Sequence, residues 1–257
     1  MTSITRFDSL ESTNKYCEAL DLAEVEDFTC FWALEQTAGI GQRGNHWESE
    51  PNKNLTFSLV LHPSFLPADR QFKLTEALSL ALVDFLQQVL SGSPSKLEGV
   101  AEGRGRVFIK WPNDIYVEGR KICGTLVSTR LQGTQIASVI CGIGLNVNQT
   151  VFPDWVPNPT SISLLSGEHY ELELLLKDLL CCIEKRYKAL ASGQDPEPEY
   201  LTHLLNLGSR ARYIYNEKEI VATITGIDEY GHLLLSADDG CKLCCSMKEI
   251  ALATVHA

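Results

Sequence analysis

The chain is short of positive charge and of long apolar runs. Its 257 residues include 22 lysines and arginines against 33 aspartates and glutamates, for a net charge of −11. A field of that sign repels the phosphate backbone of nucleic acid, so nucleic-acid binding is not expected. There is no run of about 18 apolar residues, and the N-terminus lacks the apolar segment of a signal peptide. We therefore expect a soluble, cytoplasmic protein that binds no membrane.

Cysteine is present but in an odd number, nine, and mostly within apolar segments such as LLCCIEKRY. This usage is typical of reduced thiols that pack as small hydrophobic side chains. The densest group is CKLCC at 241–245. A structural zinc site needs four ligands, and no second C-x-x-C or nearby pair of histidines completes one. A hydrophobic strand is the favoured interpretation, with zinc binding as the lesser alternative.

Hydrophobic periodicity predicts an α+β fold. Helices are predicted over 12–22, 70–90 and about 171–190, and strands over 28–36, 54–62, 106–111, 114–129 and 135–148. Glu118-Gly119 marks a hairpin turn. Antiparallel hairpins packed on a few helices give a mixed or antiparallel sheet with flanking helices, not a doubly wound fold.

After Gly208 the sequence pattern changes to short predicted strands separated by polar turns. The stretch 191–208, ASGQDPEPEYLTHLLNLG, has two prolines and several acids and is the best candidate for a linker. Short strands separated by polar turns follow, which suggests a small antiparallel β-barrel. We therefore predict two domains, a catalytic domain over 1–204 and a barrel over 205–257.

The stretch AGIGQRGNHW at 38–47 has the G-x-G-x-x-G spacing of a dinucleotide-binding loop. That fingerprint needs a helix after the loop and an acid about 20 residues on, whereas a strand follows, and His62 and Pro63 occupy the place of the acid. A strand–loop–strand is predicted instead. Its glycines allow a ligand to approach the backbone, while Arg43 suits phosphate and Trp47 could stack on a base. A surface loop with an incidental arginine remains the alternative.

A second informative stretch is KWPNDIYVEGRKICG at 110–124. The hairpin can return Lys121 to the region of Asp114. From this stretch alone, Asp114 as a turn cap and Lys110 and Lys121 as solvated charges is the slightly favoured interpretation.

Four segments together resemble the biotin–protein ligases in order and spacing. They are STN at 12–14, EQTAGIGQRGNHW at 35–47, KWPNDIYVEGRKICG at 110–124 and GIGLNVN at 142–148. The resemblance implies a catalytic domain like that of class II aminoacyl-tRNA synthetases and of biotinyl and lipoyl ligases, with a small C-terminal β-barrel. Because STN begins at residue 12, we expect the ligase-only class, without the DNA-binding domain of the ligase-repressors.

The resemblance implies a reaction with ATP, Mg²⁺ and biotin in two steps. Biotin is activated to biotinyl-5′-AMP, and a lysine of a biotin carboxyl carrier domain then takes the biotin. The partner would be such a carrier protein of a biotin-dependent carboxylase. The oligomeric state, monomer or homodimer, stays open.

Site residues are carried over by motif. Lys121, Arg43 and Asp114 would be catalytic: Lys121 would bridge the biotin carboxylate and the α-phosphate, Arg43 would hold phosphate, and Asp114 would position or deprotonate the acceptor lysine. The biotin site would comprise Ser12, Thr13, Asn14, Gln36, Gly39, Ile40, Gly41, Gln42, Lys121 and Gly124. The ATP or adenylate site would comprise Arg43, Trp47, Asn113 and Asn146. No metal ligand is assigned.

This chain departs from the family at Ile40 and Gln42, where arginines are usual. Loss of the cation at position 40 weakens the expected grip on the adenylate. Two alternatives therefore remain, a lipoate or octanoate ligase and a degenerate protein that only binds biotinyl-adenylate. The complete KWPND motif and the C-terminal barrel argue against the first.

Overall fold

A seven-stranded sheet forms the larger part of the protein. The computed structural model describes residues 2–91 and 106–253, without the side chain of Arg43. The strands are β1 (Ile4–Phe7), β2 (Thr29–Ala33), β3 (Leu55–Leu61), β4 (Val107–Lys110), β5 (Asp114–Val117), β6 (Arg120–Gln132) and β7 (Gln135–Leu145). They lie in the order β1-β2-β3-β7-β6-β5-β4, and only β1 and β2 are parallel. The predicted mixed sheet is confirmed, although β1 was not anticipated.

Helices lie on both sides of this sheet. They are α1 (Thr13–Glu18), α2 (Phe72–Ser91), α3 (Ile162–Ser166), α4 (Leu172–Ala191) and α5 (Glu197–His203). The predictions for α2 and α4 are confirmed within two residues at each end. The first helix is shorter than the predicted 12–22, because the Asp21 side chain accepts a hydrogen bond from Ala23 N at 3.2 Å and starts a separate 3₁₀ turn. The short helix α3 was not predicted.

Strand β7 has two different faces. Val139, Cys141, Ile143 and Leu145 belong to the main core, to which α2 and α4 contribute. On the other face, Ile140 packs with a smaller cluster that includes Cys17 of α1. Gly142 and Gly144 follow Ile140 at alternate positions, so this second face, here called the α1 face, carries no side chain at the end of the strand. The functional cavity lies on the α1 face.

The hairpin from β5 to β6 turns at Glu118 and Gly119, as predicted. Their φ angles are 51° and 73°, the left-handed region that a tight two-residue hairpin requires. The turn places Lys121 on β6 beside β5. It thereby brings together the two halves of the KWPND…RK motif.

The prediction of a linker over 191–208 is wrong for its central residues. This stretch contains α5, which packs against α2 and β4 and buries Tyr200 completely. Pro196 caps this helix and Pro198 lies in its first turn, where the missing N–H of proline has no helical partner to lose. The prolines therefore begin a helix rather than extend a linker.

The C-terminal strands form a second, antiparallel sheet. They are β8 (Arg210–Tyr215), β9 (Lys218–Ile227), β10 (Leu233–Ala237), β11 (Lys242–Cys245) and β12 (Ile250–Leu252), in the order β11-β10-β9-β8-β12. The run of short strands is confirmed, and CKLCC forms β11. Closure of these strands into a barrel, and a domain boundary at 204/205, remain proposals. Within the described ranges, no helix has the length and apolar character needed to cross a bilayer.

Glu76, on α2, is a fully buried carboxyl group. Its Oε2 lies 3.3 Å from Lys73 Nζ, but the same ammonium also donates to Asp195 and Glu197 at 2.8 and 2.7 Å. One positive charge is thus shared among three carboxylates. Burial raises the pKa of Glu76 to about 7, although Lys73 opposes this shift.

We expect Glu76→Gln to stabilise the fold at about pH 8. There the ionised carboxylate is buried at a cost that the neutral amide avoids, at most about 3 kcal/mol. Because the pKa of Glu76 is raised from its ordinary value of 4.5 to about 7 in the folded protein, this cost appears as the pH rises between these two values and vanishes below them. Urea unfolding of both proteins at about pH 8 and about pH 5 measures the difference. An equal difference at both pH values would contradict the shifted pKa.

Candidate active site

A cavity of about 300 Å³ lies between the α1 face, the loop 39–47 and the second sheet. Most of the residues predicted for the site line it together. They are Ser12, Thr13, Asn14, Gln36, Ile40, Gly41, Gln42, Trp47, Asp114, Lys121 and Gly124. The cavity thus joins segments that are far apart in sequence.

One end of the cavity is polar and is built by the start of α1. Ser12 caps the helix, and Thr13 donates to Gln36 Oε1 from its backbone N at 2.7 Å and from its hydroxyl at 3.1 Å. The hydroxyl of Ser58 on β3 lies 2.8 Å from Thr13 Oγ1 and 2.5 Å from Asn14 Oδ1. Asn14 Nδ2 is buried and has no hydrogen-bond partner among the described residues. It is an available donor in the cavity wall.

The floor of the cavity consists of Gly124 on β6 with Gly142 and Gly144 on β7, here called the glycine floor. Gly124 and Gly144 are directly opposite partners. A Cβ at Gly144 would lie 2.3 Å from Trp47 Cε2, and one at Gly142 would lie 2.2 Å from Asn14 Oδ1. The absence of side chains therefore makes room for both residues. Neither Gly142 nor Gly144 was assigned to the site, although their spacing of two places them on one face.

The loop 39–47 folds back on itself. Trp47 N donates to Gly39 O at 3.0 Å and Gly41 N donates to Asn45 O at 2.7 Å, around a 3₁₀ turn at Gln42–Gly44. A Cβ on Gly39 would lie 2.5 Å from Trp47 O, which explains the first glycine. The strand–loop–strand interpretation is confirmed, because β3 follows and not a helix.

Positions 40 and 43 of this loop are the ones that bear on phosphate binding. Ile40 is half-buried and lines the cavity, so this wall position carries an apolar side chain. The predicted phosphate-binding group of Arg43 lies outside the described residues.

Lys121 and Asp114 form an ion pair in the cavity, with 2.8 Å between Nζ and Oδ2. Both side chains are about one quarter exposed. The same ammonium lies 5.7 Å from the centre of the Trp47 ring. The backbone of Lys121 is held by hydrogen bonds with Asn158 and Thr160, both at 2.9 Å. The cation is thus fixed between a carboxylate and an aromatic ring.

Asn113 and Asn146 lie behind the wall and do not line the cavity. Asn113 accepts from Gln42 Nε2 at 3.0 Å and donates to Thr125 O at 3.1 Å. Asn146 Nδ2 donates to Thr160 O at 3.0 Å. Both amides brace neighbouring segments in this structure. The contacts of Asn113 with phosphate and of Asn146 with adenine stay predictions.

The KWPND segment and the second sheet complete the cavity. Trp111 Nε1 donates to Gly231 O at 3.0 Å, and Tyr200 OH donates to Pro112 O at 2.8 Å. Apolar side chains of the second sheet supply a further wall that the sequence did not reveal. They are Tyr213, Ile224, Leu233 and Ile250. No motif marks these residues, because ordinary strand hydrophobics fill the same role in any core.

No cysteine is among the described residues that line the cavity. Cys123 lies next to Gly124, and burial raises the pKa of its thiol far above the ordinary value. A thiol kept neutral is a poor nucleophile.

Comparison with known proteins identifies relatives. The model of the biotin/lipoate A/B protein ligase family matches residues 6–146. The bifunctional ligase/repressor BirA of Bacillus subtilis is 32% identical over 91% of this chain and 70% of its own length. The biotin–[acetyl-CoA-carboxylase] ligase of Paracoccus denitrificans is 31% identical over 90% of this chain and 92% of its own length. In fold, the chain is similar to the biotin protein ligase of Aquifex aeolicus in complex with biotin and ATP, with a TM-score of 0.78, 23% identity and coverage of 98% and 99%.

Ser58→Ala is expected to destabilise the protein by about 1–3 kcal/mol, because it removes the hydrogen bond to the buried Asn14 Oδ1 and one of the two hydrogen bonds of Thr13 Oγ1. Ser79→Ala is a matched control. Ser79 is equally buried, but its hydroxyl has no hydrogen-bond partner among the described residues, so its removal is expected to cost little or to stabilise. Urea unfolding of both variants gives the comparison. Equal losses would contradict the role of Ser58.

Proposed function

This chain belongs to the biotin/lipoate A/B protein ligase family, and we propose that its cavity is where biotin reacts with ATP. The chain is an ATP-dependent biotin–protein ligase. The observation that carries the proposal is the Lys121–Asp114 pair, 2.8 Å apart, between the polar end of the cavity and the loop 39–47. A fixed cation at that place suits a reaction between two anions.

In the first step, a carboxylate oxygen of biotin attacks the α-phosphorus of ATP. The new O–P bond gives an acyl phosphate, biotinyl-5′-AMP. The bond between the α-phosphorus and the oxygen that bridges to the β-phosphate breaks, and pyrophosphate leaves. Lys121 Nζ would bridge the carboxylate and the α-phosphate, reducing their repulsion and stabilising the charge that develops on the phosphoryl oxygens. Arg43 is proposed to hold phosphate beside it.

In the second step, the amine of an acceptor lysine attacks the acyl carbon. The C–N bond forms, the C–O bond to the phosphate breaks, and AMP leaves. The amine must be neutral to attack, and Asp114 would accept its proton or orient it. Because Asp114 already contacts Lys121, both steps would share one pair of charges.

The polar end would hold the ureido ring of biotin. The unpartnered Asn14 Nδ2 offers a donor to the ring carbonyl, while Thr13 and Gln36 are hydrogen-bonded to each other and Ser12 caps α1 beside them. The bicyclic ring would lie against Asn14 and Trp47, which occupy the space above the glycine floor. Backbone groups of Gly39, Ile40 and Gly41, with the side chain of Gln42, would cover it.

The adenylate would lie against the face of Trp47 that is turned away from the glycine floor, where the ring could stack on adenine. Asn113 and Asn146 brace Gln42 and the segment at Thr160, so we propose for them a positioning role. Ile40 contributes no charge to the phosphates. The grip on the adenylate would therefore depend on Arg43, Lys121 and backbone groups.

Mg²⁺ is proposed to enter with ATP. Among the described residues that line the cavity, Asp114 is the one carboxylate. Mg²⁺ commonly takes one carboxylate and completes its shell with phosphate oxygens and water, so this donor set fits. The proposed partner is a biotin carboxyl carrier domain, which supplies the acceptor lysine.

The function is tested with purified protein, ATP and Mg²⁺. We expect biotin-dependent exchange of pyrophosphate into ATP, and transfer of biotin to a carrier domain. Lipoate in place of biotin serves as the matched substrate. Transfer of lipoate alone would favour a lipoate ligase, and binding of biotin without exchange or transfer would leave only an adenylate-binding protein.

Lys121→Ala is expected to lower the rate of adenylate formation by roughly 10²–10³-fold, since one preorganised charge at a developing oxyanion contributes about 3–4 kcal/mol. Lys177→Ala, which removes an exposed lysine paired with Glu173 on α4, is the control. Pyrophosphate exchange measures both. Near-normal exchange by Lys121→Ala would overturn the role assigned to Lys121.

A further inference from the structure

Three metal-binding side chains meet at one edge of the second sheet, away from the Lys121–Asp114 pair. Asp228 and His232 lie in the turn between β9 and β10, and Cys244 lies on β11. The His232 Nδ1 to Asp228 Oδ2 distance is 2.8 Å, and Cys244 Sγ lies 3.6 Å from the same oxygen. All three donor atoms lie within 4.8 Å of one another.

The Asp228 carboxylate is oriented by the backbone of its own turn. Its Oδ1 accepts hydrogen bonds from Tyr230 N and His232 N, at 2.9 and 2.8 Å. Its Oδ2 is left to face His232 and Cys244. This arrangement resembles that of metal-binding carboxylates, in which one oxygen is held by hydrogen bonds while the other binds the ion.

The cysteine points outward for a reason of strand geometry. Leu234 of β10 is the partner of Cys244, and the next residue, Cys245, is fully buried in the core. Successive side chains of a strand alternate, so Cys244 lies on the exposed face. The C-x-x-C spacing at 241–244 drew attention to zinc in the sequence. The other ligands come from a neighbouring turn and form no sequence motif.

We propose that Asp228, His232 and Cys244 bind one divalent ion of the Zn²⁺ type. A thiolate, an imidazole nitrogen and a carboxylate oxygen are the donors that Zn²⁺ takes, and three protein ligands leave a fourth position for water. Binding releases the proton of the thiol, and the two positive charges of the ion balance the thiolate and the carboxylate. Glu249 adds negative charge nearby, acting electrostatically on both His232 and Cys244.

The site would influence the cavity through one contact. Gly231, in the same turn, accepts the hydrogen bond from Trp111 Nε1 at 3.0 Å. Phe72 of α2 lies against this glycine, so a Cβ there would be 2.1 Å from its ring. An ion bound at Asp228 and His232 would hold the turn that receives Trp111, which lines the cavity.

The test is titration of the full-length, metal-free protein with Co²⁺, followed by competition with Zn²⁺. We expect one ion per chain, visible absorption of tetrahedral Co²⁺ and a thiolate-to-metal charge-transfer band. Cys244→Ser is expected to abolish that band and to weaken affinity by at least about 100-fold, the upper range for loss of an outer-shell partner. His232→Ala is expected to weaken it similarly.

Cys241→Ser is the matched control, because Cys241 is an exposed cysteine three residues away that is outside the group of three. It is expected to retain both the band and the affinity. Circular dichroism of each variant verifies folding. Absence of Co²⁺ and Zn²⁺ binding, survival of the charge-transfer band in Cys244→Ser, or equal effects of the two serine substitutions would overturn the proposal.

Discussion

The site depends on a patch of sheet that carries no side chains. Trp47 and Asn14 reach the central strands only because Gly124, Gly142 and Gly144 leave the α1 face bare. The same strand fills its other face with Val139, Cys141, Ile143 and Leu145. One strand therefore supports the main core on one side and a ligand cavity on the other. A substitution that adds a side chain to this floor would remove the space without disturbing the core behind it.

Charge is the second constraint on the site. A chain with a net charge of −11 must attract ATP and the carboxylate of biotin, both of which are anions. The cavity provides a local positive charge, because Lys121 is held against Asp114 and Trp47 before substrate binds. Preorganised charge is effective because little reorganisation is needed during the reaction. Because Ile40 contributes no charge to the cavity wall, the cation of Lys121 becomes more important.

Sequence reasoning succeeded where local rules decide the structure. The Glu118-Gly119 turn predicted a hairpin that returns Lys121 to Asp114, and strong periodicity located α2 and α4. It failed at α5, because proline was taken as a sign of a linker although the first turn of a helix tolerates it. The bracing positions of Asn113 and Asn146, and the apolar wall from the second sheet, depend on tertiary packing. No spacing in the sequence encodes them.

We infer that the loop 39–47, whose Trp47 lies on the glycine floor, becomes more ordered when biotin and ATP bind. Hydrogen exchange of its backbone amides, measured without ligand, with biotin, and with biotin and ATP, tests this most directly. Peptides from α4, none of whose residues lines the cavity, provide an internal reference. We expect the backbone amides of Ile40, Gln42 and Trp47 to exchange more slowly when both biotin and ATP are bound. Exchange in this loop that both ligands leave unchanged would contradict it.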